Sequence, residues 1–90
     1  MSYAGYRVIL EKPAQKMMER LPRDLRERLA AAMQELGLNP RPYGYIQLKG
    51  QHGLFRIKVG DWRIIYAIQD EELLVLVVEI GSRQGVYDKY

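Results

Sequence analysis

Arg56, Lys58 and Arg63 are the residues whose types and spacing best suit chemistry in this chain. They stand in the run Leu54-Phe55-Arg56-Ile57-Lys58-Val59-Gly60-Asp61-Trp62-Arg63-Ile64-Ile65-Tyr66, which alternates as a β-hairpin does. Side chains alternate across a strand, so Phe55, Ile57 and Val59 share one face while Arg56 and Lys58 share the other. Gly60-Asp61 suits a two-residue type II′ connection with glycine first. That register sets Val59 opposite Trp62 and Lys58 opposite Arg63. Like charges directly opposite one another destabilise a strand pair by up to about 1 kcal/mol. Stability alone does not favour that arrangement, whereas a site for a polyanion does. Such charges also occur as ordinary solvated residues on the wet face of an antiparallel sheet.

The next strand, Leu73-Leu74-Val75-Leu76-Val77-Val78-Glu79-Ile80, is apolar on both faces and breaks at Gly81 into Ser82-Arg83-Gln84-Gly85-Val86-Tyr87. A two-residue Asp70-Glu71 turn would pair Arg63 with Val78, five residues before Arg83, so a fourth cation and a phenol come within reach of the same region. His52 is the single histidine, flanked by glycine in a loop. Alone it cannot supply a two-histidine acid/base pair. No cluster of histidine and carboxylates has metal-ligand spacing, and Asp70-Glu71-Glu72 reads as turn chemistry.

The elements that must position these groups are few. Tyr6 to Glu11 reads as a first strand, and Pro13 suits the first position of a helix, where its missing N–H would be unpaired anyway. Ala14, Met17, Met18 and Leu21 fall at helical spacing, with the two methionines as core filler. After Pro22, the stripe Leu25, Leu29, Ala32, Met33 and Leu36 predicts a second helix ended by Gly37. Arg20, Arg23, Arg26 and Arg28 with Glu19, Asp24 and Glu27 predict a solvated, partly salt-bridged helix face, with auxiliary nucleic-acid contact as the alternative. A loop over Asn39-Pro40-Arg41-Pro42-Tyr43-Gly44 leads to a strand at Tyr45-Ile46-Gln47-Leu48-Lys49, and Gly50-Gln51-His52-Gly53 turns into the hairpin. The expected order is β-α-α-β-β-β, an α+β fold whose antiparallel sheet carries a helical hairpin on one face and the cations on the other.

Ninety residues make one domain, 1–90, with a modest core. There is no cysteine, hence no disulfide or thiolate metal site. No apolar run follows the first basic residues and none approaches the ~20 residues of a membrane span, so a soluble, cytoplasmic protein is expected. A net charge of +3 and a pI near 9.3 favour anionic partners without choosing among RNA, DNA and acidic protein.

Taken in order, several segments resemble the RelE-like toxins of the RelE/ParE toxin–antitoxin superfamily. They are Tyr6-Arg7-Val8, Leu21-Pro22, Leu48-Lys49-Gly50, the whole run from Phe55 to Tyr66, Gly81-Ser82-Arg83 and Val86-Tyr87. The resemblance spans nearly the whole chain and implies a ribosome-dependent endoribonuclease. Such a toxin cleaves messenger RNA in the ribosomal A site by 2′-OH attack, without metal or cofactor, and leaves a 2′,3′-cyclic phosphate. By position, Arg56 stands where the family often has a basic residue and Lys58 aligns with a lysine proposed as general base. Lys58 can accept a proton only if the positive charge of Arg56 and Arg63 favours its neutral form. Arg63 and Arg83 would grip the scissile phosphate. Tyr87 would stack on or orient the nucleotide, or else close the core as a C-terminal aromatic. Lys49, with Arg56 and Arg63, would contact RNA or the ribosome.

The implied partners are an acidic, RelB-like antitoxin, the ribosome with its message, and operator DNA only through the antitoxin complex. Ser82 replaces a histidine or lysine common before the arginine, Gly85 loosens the last segment, and Arg56 in place of lysine keeps charge but removes a proton acceptor. Two alternatives share the fold. One is a gyrase inhibitor of the ParE type that acts by protein contact, and the other is a non-catalytic member that binds antitoxin and operator DNA.

Overall fold

The computed structural model of the chain describes residues 5–82, so Arg83 and Tyr87 lie outside the described residues. The elements run β1 (Arg7–Leu10), α1 (Lys12–Arg20), α2 (Arg23–Leu38), β2 (Ile46–Gln47), β3 (Leu54–Val59), β4 (Trp62–Gln69) and β5 (Leu74–Ser82). The expected order is therefore one strand short. The five strands form one sheet in the order β1-β5-β4-β3-β2. The sheet is mixed rather than wholly antiparallel, because β1 lies parallel to β5, with Val8 beside Val75 and Leu10 beside Val77. Two intervening helices and a hairpin give the chain ample length for that crossover, which a parallel pair requires.

One face of the sheet carries both helices. Ala14, Leu29, Met33 and Leu36 pack there against Ile57, Ile64, Tyr66, Val75, Val77 and Ile80, while Met17 and Met18 fill in at the edge of the same core. Pro13 falls in the first turn of α1, one residue after the helix begins at Lys12. Gly37 does not end α2, which continues to Leu38. It serves close approach instead. A Cβ at Gly37 would lie 2.9 Å from the Tyr6 carbonyl oxygen and 3.2 Å from Val8 Cγ2, and the Tyr6 N–H donates to the Gly37 carbonyl at 2.7 Å. The glycine thus lets the helix end seat directly on the backbone entering β1.

The far end of the sheet is held by polar contacts. The Tyr66 hydroxyl, buried beneath the loop after α2, donates to the Pro40 carbonyl at 2.7 Å, and burial pushes its pKa up. Arg41 clamps Asp70 with two bonds, Nη1 to Oδ1 at 3.2 Å and Nη2 to Oδ2 at 2.8 Å, while the Tyr6 hydroxyl donates to Oδ1 at 2.6 Å. The Arg41 fork, then the Tyr6 hydroxyl, hold the Asp70 carboxyl down at about 2. The hydrogen bond to Asp70 in turn raises Tyr6. Three segments distant in sequence are tied together by this clasp. Among the described residues, no helix is long and apolar enough to cross a membrane.

Candidate functional site

The hairpin that carries the cations has the predicted register: Val59 faces Trp62 and Lys58 faces Arg63. Gly60 supplies the turn's positive φ of 61°, the first position of a type II′ connection. Arg56 lies two residues before Lys58 and so on the same face, away from the helices, with Ile46 beside it on β2 and Ile65 beside it on β4. Arg56, Lys58 and Arg63 are thus brought together on one surface.

That surface is not uniformly open. Lys58 is exposed and Arg56 half-buried, whereas Arg63 is only 4% exposed and Ile65 fully buried. The Arg63 side chain folds back so that Nη1 donates to the Trp62 carbonyl at 3.3 Å, and both Arg56 and Arg63 make further interactions. Glu79, the one charged residue in a strand read as apolar on both faces, faces Ile65 across β4–β5 and adds a carboxylate to the same face. A set of this kind, with one exposed cation and two restrained guanidinium groups on one face, is chemically able to hold an anion.

The strand that follows departs from expectation. The β4–β5 connection spans Asp70 to Leu73, with Leu73 at φ 52°, and a bulge intervenes opposite Ile65 and Tyr66. Arg63 therefore pairs with Gly81, not Val78, and β5 continues through Gly81 to Ser82, which faces Trp62. Gly81 precedes Arg83 by two positions in sequence, so the corrected register shortens the chain between Arg63's partner and Arg83. The roles assigned to Arg83 and Tyr87 lie outside the described residues.

Lys49 is not part of the cluster. It sits in the turn after β2, which returns through the Leu48 N–H to Leu54 carbonyl bond at 2.9 Å. That is the opposite end of β3 from Lys58, roughly 13 Å away along the strand. His52 is exposed in the same turn. Sequence reasoning missed a cleft of about 320 Å³ beside the cluster, lined by Glu35 and Leu36 of α2, Pro42 and Tyr43 of the loop, and Ile57 and Lys58 of β3. Its only sequence signal is the Pro42-Tyr43-Gly44 loop, since the partners come from distant segments.

Comparison with known proteins agrees with this fold. The model of the family described as ParE toxin of the type II toxin–antitoxin system, parDE, matches residues 8–87. The chain is 31% identical over 87 residues to the toxin RelE of Mycobacterium tuberculosis, covering 91% of this chain and 86% of that protein. Among solved structures it is similar to the archaeal RelE–RelB complex of Pyrococcus horikoshii OT3, with TM-score 0.75, 26% identity and coverage of 87% and 94% of the two chains. It is also similar to the intact E. coli RelBE toxin–antitoxin complex, with TM-score 0.75, 26% identity and coverage of 86% and 95%. With a cationic hairpin on the helix-free face of a five-stranded mixed sheet, and a family match along almost its whole length, this chain belongs to the RelE/ParE superfamily of type II toxin–antitoxin toxins.

Proposed function

We propose that the chain is the toxin of a type II pair and acts as a ribosome-dependent endoribonuclease in the cytoplasm. The observation that carries the reading is Lys58 directly opposite Arg63 with Arg56 on the same face. RNA brings its own nucleophile, the 2′-OH, so a protein can cleave it by aligning that hydroxyl with the phosphorus and stabilising the charge of the transition state. No metal is needed for that step. In this reading Arg56 and Arg63 hold the scissile phosphate, and Lys58, the exposed member, takes the 2′-OH proton as the O2′–P bond forms and the P–O5′ bond breaks. The departing 5′ oxygen takes a proton from water and a 2′,3′-cyclic phosphate remains. Arg83 as a third phosphate grip and Tyr87 as a nucleotide platform complete the proposal.

The named relatives support an antitoxin partner, since the P. horikoshii and E. coli structures are RelE–RelB and RelBE complexes. An acidic antitoxin segment laid on the cation face would satisfy its charge and block access. The match to the ParE family model favours a second reading, gyrase inhibition by protein contact. Primer extension on translating messages in cells expressing the toxin separates the two. A-site cuts that vanish with Lys58→Ala are expected. Gyrase-linked DNA breaks without message cleavage would select the second reading, and neither effect would leave a binding protein without enzymatic activity.

A further inference from the structure

Arg28 of α2 carries its guanidinium out to the β3–β4 turn. A Cβ built on Gly60 would lie 2.9 Å from Arg28 Nη2 and 3.9 Å from its Cζ, so the guanidinium rests against the bare glycine. Asp24 stands one helical turn before Arg28, the spacing at which the neighbouring Arg23 and Glu27 form an ion pair at 3.1 Å. Arg28 does not form the equivalent pair with Asp24. Among the described residues it belongs neither to the Arg23–Glu27 pair nor to the Arg41–Asp70 pair, and it is exposed.

We propose that Arg28 is a further phosphate-contacting residue, which extends the Lys58–Arg63 cation pair around the tip of the hairpin and takes a backbone phosphate next to the one they hold. The inference rests on the ribonuclease reading above. Gly60 is two residues beyond Lys58, roughly 7 Å along the strand, a step comparable with that between successive phosphates of an extended RNA strand. The planar guanidinium presents paired donors that suit phosphate oxygens. Asp61, in the same turn and exposed, opposes an anion there, and the combined charge of Arg28, Lys58 and Arg63 outweighs it. RNA fits the surface better than an acidic protein segment. A protein contact draws on apolar burial at its centre, and Gly60 and Asp61 offer none at the tip, whereas a nucleic acid needs only charge contacts.

The test uses the full chain and a single-stranded RNA oligomer with one 2′-deoxy residue at the cleavage position, so that binding is read without cutting. Affinity is measured across a salt series for wild type, Arg28→Ala and Arg28→Lys, with thermal melts of each. Arg28→Ala should weaken binding several-fold and reduce the slope of log affinity against log salt by about 0.7, one phosphate contact on a single strand. Arg28→Lys should restore the slope, and the melting midpoints should agree. An unchanged slope in Arg28→Ala, with wild type binding normally, would overturn the proposal and leave the ribonuclease reading standing. Absence of RNA binding by wild type at every salt concentration would also overturn the proposal, and the ribosome-dependent reading would then be decided by primer extension on translating messages. Loss of affinity for polyglutamate alone, with RNA binding intact, would replace the proposal with an acidic-protein contact.

Discussion

At the scale of single residues, the burial of Arg63 separates two effects that mutation of a cation usually mixes. Lys58 is exposed, so Lys58→Ala removes its charge with little effect on packing, and stability should stay within about 0.5 kcal/mol. The single-turnover cleavage rate should fall about a hundredfold, on the order of 3 kcal/mol of transition-state stabilisation. Arg63, 4% exposed, should lose both when changed to alanine: a similar drop in rate together with a lower melting midpoint. Rate and melting measured on the same preparations check this, and an Arg63→Ala protein as stable as wild type would contradict the role of its buried stem. Asp70 makes a different prediction. Its carboxyl is held at about 2, below its ordinary 3.8, so its contribution to stability is present above pH about 4 and is lost as pH falls towards 2. Acid titration of wild type and Asp70→Asn should show their stability difference shrinking across that window. A constant difference would show that the Arg41 fork and Tyr6 bond do not favour the ionised form.

At the scale of elements, the hairpin was legible and its neighbours less so, for reasons in the residues. Gly60-Asp61 encodes its own turn type, and a two-residue turn leaves one register, so Lys58 opposite Arg63 followed directly. The β4–β5 turn has no such code. It places Leu73 at φ 52°, where an L-residue with a large side chain is uncommon, and the bulge at β5 adds a shift that alternation cannot announce. Parallel pairing of β1 with β5 depends on where two helices return the chain, which no local pattern records. Arg28 and Arg41 were equally hidden, because each meets its neighbour only through the tertiary fold. Gly37 looked like a helix stop and is instead a contact point. Gly37→Ala should push a methyl into the Tyr6 carbonyl and cost about 1–3 kcal/mol. A urea midpoint lowered at unchanged slope is the expected signature, and wild-type stability would rule out the close approach.

At the scale of the whole molecule, a net charge of +3 and one cation-bearing sheet face suit a protein that docks on nucleic acid and is silenced by an acidic partner. Salt should therefore weaken the charged part of the antitoxin complex, which calorimetry across a salt series reads directly, and salt-independent affinity would contradict electrostatic capture. The same charge also explains why the ribosome belongs in the proposal. In the proposed mechanism the described site brings guanidinium groups and one exposed lysine but no second tuned proton donor, so free RNA would be held too loosely for in-line attack, whereas a ribosome would fix the codon and supply an anionic docking surface. The most direct measurement is a single-turnover comparison of one message, naked and positioned in the A site of a translating complex, cut by the same purified protein without added metal beyond that the ribosome requires. Much faster cleavage of the ribosome-bound message, lost in Lys58→Ala, is the predicted result, and equal rates on the two substrates would contradict ribosome dependence.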